Sequence, residues 1–323
     1  MRTYILRRFL QTIPLLLGIS ALTFILLQLA PGDFLNTMGE NPNISQEALD
    51  AMRRRFGLDA PWWVQYGLYL KNIFLHLDFG QSFSRHQPVF AVLREGMVNT
   101  LILASAAALV SWGLAVPLGV WAAVRQYSWL DKVLSVLAFL GLSIPVVLSG
   151  LLLLFLAARS DGILPVGGMR SLDWEYLDFW GKTADLLRHL ALPALVVGLN
   201  PLASHMRQMR GNLLDILRLD YVTTARAKGL DERTVVFKHA VRNAINPLIT
   251  LFGFTLGALL SGAFVAEIIF SWPGLGRITL EALLQQDQYL VLGSVLMASV
   301  MLVAGNLIAD ILLAVADPRI AYD

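Results

Sequence analysis

The stretch "DYVTTARAKGLDERTVVFKHAVRNAINP", residues 220–247, is polar, basic and punctuated by alanine and glycine. It lies between two strongly apolar runs, residues 190–206 and 246–270. Its reading decides the fold, because a patterned polar segment joining two membrane helices belongs to a chain that crosses a bilayer several times. Composition agrees. The 323 residues are 56% hydrophobic and 15% charged, where a soluble domain averages about 25% charged. The absence of cysteine excludes disulfides, thiol catalysis and thiolate metal sites. A net charge of +2 is too small to argue for a nucleic-acid partner, and the placement of the charges carries more than their sum.

A membrane-spanning helix needs about 20 mostly apolar residues. Six stretches meet or approach that length: 9–30, 98–124, 131–158, 190–206, 246–270 and 290–313. The expected fold class is all-α, a polytopic integral membrane protein with six transmembrane helices. The first run follows Arg2, Arg7 and Arg8 as a signal peptide would. It exceeds the usual apolar region of roughly 7–15 residues and lacks a small-residue cleavage site, so it reads as a retained span. The segment "PWWVQYGLYLKNIFLHL", residues 61–77, is shorter and carries Lys71 and His76. Its Trp62, Trp63, Tyr66 and Tyr69 suit the headgroup level, which makes it an interfacial helix.

With the N-terminus in the cytosol, fourteen Lys and Arg fall inside and five in the short outer loops. That is the positive-inside bias, and it places both termini in the cytoplasm. The organisation is then an N-terminal segment and first span over 1–31, a large outer loop with interfacial helices over 32–97, and a five-helix core over 98–323. The core includes the cytoplasmic segment 207–245. Within the outer loop, Ser45 is placed to cap a helix through "QEALDAMRRRF", with Glu47 in its first turn.

The cytoplasmic segment is too patterned for a linker. Leu213, Leu214, Ile216, Leu217 and Tyr221 recur near helical spacing. Gly229 is placed as a helix C-cap, and Asp231 as the N-cap of a second short helix, "ERTVVFKHAVRNA". The reading is two short helices with a kink at Gly229 on the inner face of the membrane. Ala225, Ala227 and Gly229 are small, which suits insertion into a partner's cleft. Positive-inside sorting of the charge and helix propensity of the alanines is the competing account.

"TTARAKGL" resembles the cytoplasmic EAA loop of ABC-importer permeases, with Ala225 and Gly229 at that motif's second Ala and Gly. Thr223 and Thr224 stand where the wider superfamily often has Glu and Ala, and Arg242 where Pro is common. These departures are those of the oligopeptide/dipeptide permeases. "LLQLAPGD", "FGLDAPWWVQY…DFGQSF", "FSWPGLGR" and "ADPRI" occur in that family's order along nearly the whole chain. The resemblance implies a six-span permease of the bacterial inner membrane that transports di- or oligopeptides, or a nickel complex, glutathione or a related solute.

The partners implied are a second homologous permease, two cytoplasmic ATPase subunits, a periplasmic or lipid-anchored substrate-binding protein, and membrane lipids. ATP and Mg2+ would be used by the ATPases, with no cofactor or metal on this chain. The resemblance assigns ATPase coupling to Tyr221, Thr224, Ala225, Arg226, Ala227, Lys228, Gly229 and Arg233.

No catalytic set is legible. Gly181-Lys182-Thr183 copies the end of a phosphate-binding loop, but Tyr176 stands where the required first glycine belongs. The five histidines show no ligand spacing. Polar residues inside spans are the candidates for a translocation path: Ser143, Ser149, Asn200, Ser204, His205 and Asn306. Asp310, Pro145 and Pro201 lie among them. Helix–helix hydrogen bonding or a proline kink is the competing role for each. Two other classes remain as alternatives. An intramembrane enzyme is disfavoured because the adjacent Ser204 and His205 point about 100° apart on a helix. A secondary transporter would usually carry internal repeats, which the sequence does not show.

Overall fold

In the computed structural model, residues 2–30, 45–57 and 59–316 are described. Among them helix is the dominant structure, with one isolated antiparallel bridge between Gln81 and Pro88. The helices are α1 Arg2–Leu29, α2 Gln46–Phe56, α3 Trp62–His76, α4 Val89–Val124, α5 Trp129–Ser143, α6 Val146–Ala158, α7 Phe179–Leu217, α8 Asp220–Ala227, α9 Asn246–Ile269, α10 Leu275–Leu284 and α11 Gln288–Ala316. The chain divides into two compact units, residues 1–100 with 273–303, and residues 101–272 with 304–323.

Among the described residues, Leu10–Leu29, Val89–Val124, Phe179–Leu217 and Gln288–Ile308 are each long and apolar enough to cross a membrane. The 24 residues of α9 reach about 36 Å at a rise of about 1.5 Å per residue, beyond the ~30 Å of a bilayer's hydrocarbon. Asp310 and "ADPRI" lie outside the residues whose side chains are described, as do the last three residues of "LLQLAPGD" and the 31/32 boundary.

Two expectations need correcting. The run 131–158, read as one span, is two helices bent by 110°. Pro145 is the cause. It disfavours helical geometry in the residue before it, and Ile144 is extended at φ −83°, ψ 123°. The run 190–206, read as a short span, is part of the 39-residue α7, which continues through both Pro193 and Pro201.

In the first unit, Ser45 caps α2 as its sequence suggests, accepting a hydrogen bond from the Ala48 amide at 3.3 Å. Gly57 closes the helix in the left-handed conformation. α3 packs on α1, where the Tyr66 hydroxyl lies 2.8 Å from Ser20 Oγ and the Tyr66 ring 5.3 Å from that of Phe24. The loop after α3 is locked by Asp287, which is fully buried. Its carboxylate accepts from Ser82 Oγ at 2.6 Å, Ser84 N at 2.9 Å and Ser84 Oγ at 2.8 Å.

In the second unit, α4 and α7 touch backbone to backbone. A Cβ on Gly198 would lie 2.9 Å from the Ala107 carbonyl oxygen, and one on Gly119 would lie 2.7 Å from that of Met206. Residue numbers rise along both helices between these contacts, so α4 and α7 run in the same direction. α5 runs against α7, with Asp131 held by Arg210 at 2.6 and 2.8 Å and Gly141 beside Ala203. α6 carries the chain onward to the far end of α9, where Gly150 meets Ile269. α9 in turn runs against α7, from the Asn212–Ala244 hydrogen bond at 3.2 Å to that between Thr255 and His205 at 3.0 Å.

The α4–α7 contact leaves no room for a methyl group, and overpacking of this kind typically costs about 1–3 kcal/mol. Gly198→Ala should therefore lower the thermal midpoint of the detergent-solubilised protein. Gly113→Ala on the same α4, where a Cβ would have open space, should leave the midpoint unchanged or raise it by virtue of alanine's higher helix propensity. Thermal unfolding followed by size-exclusion recovery measures both.

Candidate functional site

The polar stretch folds as a helical hairpin. α7 ends at Leu217, and α8 follows after Arg218 and Leu219. Val222 and Ala225 on one face of α8 pack with Val235 across the hairpin, and Ile216 and Leu217 lie against them. A Schellman closure ends α8. The Gly229 amide donates to Arg226 O and the Leu230 amide to Ala225 O, with Gly229 left-handed at φ 76°. Asp231 then accepts from the Arg233 amide at 3.1 Å and starts the return arm. That arm is a single α turn, Glu232–Thr234, a π-helical stretch, Val235–Val241, and a second turn, Arg242–Ala244, leading into α9.

Polar contacts fasten the two arms. Arg226 donates to both oxygens of Glu232 at 2.8 and 3.1 Å, and this guanidinium holds the exposed Glu232 carboxyl below its ordinary range. Asn243 donates to the Tyr221 hydroxyl and to His239 O, each at 3.0 Å.

The residues singled out from sequence therefore divide into two groups. Tyr221, Ala225 and Arg226 build the hairpin. Ala225 is buried, so its small size serves packing within this chain and not a surface plug. Thr224, Ala227, Lys228, Gly229 and Arg233 are exposed. Gly229 has open space where a side chain would be, so its requirement is the left-handed backbone and not close approach within the chain. The sequence reading missed Val222 and Val235 as the hairpin's core. Two valines on separate arms carry no periodic signal until the arms are paired.

The polar residues of the apolar helices are not one cluster. Asn200 and Ser204, one turn apart on α7, are exposed, as are Ser143 and Asn306. Ser149 is buried and donates to Val146 O at 2.9 Å. His205 is buried, with its ring 4.4 Å from that of Trp112. Thr255 Oγ1 donates to Leu251 O at 2.8 Å, which leaves it to accept from His205 Nε2. These contacts hold Ser149 and His205 in the interior of the second unit. Among the described residues no three acidic or histidine side chains gather as a metal-ligand set.

Comparison with known proteins places the whole chain in a family. The family described as "binding-protein-dependent transport system inner membrane component" matches residues 115–322, and its N-terminal counterpart matches residues 1–104. The oligopeptide transport system permease protein AppB of Bacillus subtilis is 40% identical over 323 residues, covering all of both chains. The dipeptide transport system permease protein DppB of Escherichia coli is 37% identical over 339 residues, covering all of this chain and 99% of that one. A solved structure of the inward-facing MetNI methionine ABC transporter is similar in fold, with TM-score 0.51 at 17% identity over 69% of this chain and 97% of that one.

The hairpin's packing predicts a contrast between its two alanines. Ala225→Leu should overpack the contact with Val235, a cost of about 1–3 kcal/mol, and speed hydrogen exchange across 220–241. Ala227→Leu, at an exposed position two residues away, should leave exchange unchanged. Peptide-resolved hydrogen–deuterium exchange of the purified chain reads both.

Proposed function

Because the chain belongs to the family of binding-protein-dependent transport system inner membrane components, we propose that it is the permease subunit of an ATP-driven importer whose solutes are di- and oligopeptides. The full-length likeness to permeases named for peptide transport in two organisms carries the substrate class. Family membership implies the general assembly: a partner permease, ATPase subunits and a substrate-binding protein. The chain itself performs no chemistry in this reading. Two ATPases hydrolyse ATP with Mg2+, and this subunit converts their closure into a change of access.

The hairpin is the element suited to that conversion. Its arms are clamped by a buried apolar contact and by two sets of polar bonds, so a push on its tip moves α7 and α9 with little loss in bending. The tip presents Thr224, Ala227, Lys228, Gly229 and Arg233 to a partner. Ala225 acts one step back, by keeping the two arms close. The path would run along this chain's boundary with its partner permease. Asn200 and Ser204 suit it, because exposed polar groups facing lipid are costly.

The topology that serves this is six crossings with both termini cytoplasmic: α1, α4, the α5–α6 pair, α7, α9 and α11. The shared direction of α4 and α7 supports counting α5 and α6 as one broken crossing. Had the pair returned to its starting side, α7 would run against α4. The basic residues, fourteen inside against five in short outer loops, support the orientation.

Two measurements test the proposal. With no native cysteine, Gln46→Cys, Glu175→Cys and Leu230→Cys report sidedness directly. An impermeant thiol reagent applied to spheroplasts should label residues 46 and 175 and spare 230; labelling of 230, or protection of 46, would overturn the orientation. For coupling, Ala227→Trp adds bulk at an exposed position without disturbing the hairpin's core. It should leave a stable protein with most peptide uptake lost and the ATPases detached or hydrolysing without transport. Normal uptake would remove the docking role from the hairpin.

A further inference from the structure

An open groove of about 610 Å³ runs between the last turns of α4 and the π-helical arm. Its floor and walls are apolar, with Val120, Trp121 and Val124 on one side and Phe237 on the other. Trp121, Val124 and Phe237 are 46, 46 and 61% exposed, a large uncovered apolar area for one cleft. The charged residues of both walls fall at the same end. Arg125 closes the α4 side, and Glu232 and Arg233 open the other arm. Glu232 is engaged by Arg226. Among the described residues, neither Arg125 nor Arg233 has an ion-pair partner.

The dimensions fit one leaflet. From Val116 to Arg125 the α4 wall is nine residue steps, about 14 Å at ~1.5 Å each. That is close to half of the ~30 Å hydrocarbon thickness of a bilayer. An apolar slot one leaflet deep, ending in two unpaired guanidiniums, is complementary to an amphipathic anion. Basic pockets between membrane helices on the cytoplasmic side bind anionic headgroups in this way. The widened π-helical geometry of Val235–Val241 shapes the second wall, and such departures from α-helix recur at functional sites.

We infer that this groove holds one anionic phospholipid of the cytoplasmic leaflet. An acyl chain lies along Val120, Trp121 and Phe237, and the phosphate lies between Arg125 and Arg233, so Arg233 serves the groove and the docking face of the tip is left to Thr224, Ala227, Lys228 and Gly229. The inference rests on the orientation proposed above, which puts the charged end of the groove at the inner surface. One wall is the return arm of the hairpin, so a bound lipid would brace that arm against α4. Transport would then depend on the anionic lipid content of the membrane.

The test is quenching of Trp121 in nanodiscs containing the full-length chain. The Trp121 signal is taken as the difference between the protein and its Trp121→Phe variant. Phosphatidylglycerol with brominated acyl chains, as a minor component in phosphatidylcholine, should quench that signal more than brominated phosphatidylcholine at the same fraction. Removing both charges with Arg125→Gln and Arg233→Gln should weaken the preference on the order of tenfold, while the paired Arg→Lys changes keep most of it. Val124→Trp, read by native mass spectrometry, should fill the slot and remove the retained lipid with both arginines in place. Equal quenching by the two lipids, or a preference unchanged in the Gln variant, would overturn the site. Displacement by inorganic phosphate would reduce it to a simple anion site. Shielding of Trp121 from both lipids only when ATPase subunits are bound would make it a protein interface. The cysteine labelling above decides the orientation independently, so a wrong side and an empty groove give different results.

Discussion

The second unit depends on the backbone contact between α4 and α7. In a bilayer, helices gain nothing by hiding apolar side chains from lipid tails that are equally apolar, so association relies on close packing and on polar bonds between helices. Gly198 and Gly119 let the two backbones meet at points 12 residues apart on α4, from Ala107 to Gly119. That contact fixes their common direction. The same choice of small residues recurs where α5 meets α7 at Gly141 and where α6 meets α9 at Gly150.

Polar bonds then fix what close packing alone leaves free to slide. Asp131 and Arg210 form a two-point pair with the carboxylate almost wholly buried. Removing either partner would leave an uncompensated charge, an error of about 3–5 kcal/mol. In the first unit Asp287 plays the corresponding part with no cation paired to it among the described residues, held by hydroxyl and amide donors from the loop 82–84. Each bond joins residues far apart in the chain, and each sets a register that hydrophobic contact does not specify.

Much of this was legible in the sequence, and the remainder fails for physical reasons. The apolar runs, the Ser45 cap and the left-handed Gly229 are local properties, decided within a few residues, and they read directly. The break at Pro145 was visible as a residue but not as a consequence. Pro193 and Pro201 stand in comparably apolar sequence, yet α7 carries both without ending. Whether a proline ends a membrane helix depends on how its neighbours re-satisfy the freed backbone groups. The inward turn of Ala225 was hidden because alanine suits either face of a helix. The pairing of Asp131 with Arg210, 79 residues apart, had no local trace at all.

The bent α5–α6 pair also has a bearing on how the protein is made. The two halves have 15 and 13 residues, about 22 and 20 Å of helix, and neither spans ~30 Å of hydrocarbon alone. Their stabilising neighbours on α7, Ala203 beside Gly141 and Arg210 beside Asp131, are synthesised later. α6 also waits for Ile269 on α9. Neither half of the pair is therefore completed by its own sequence. Close packing of both halves is available only once α7 and α9 have been made, so the segments on either side of Pro145 depend on sequence that follows them.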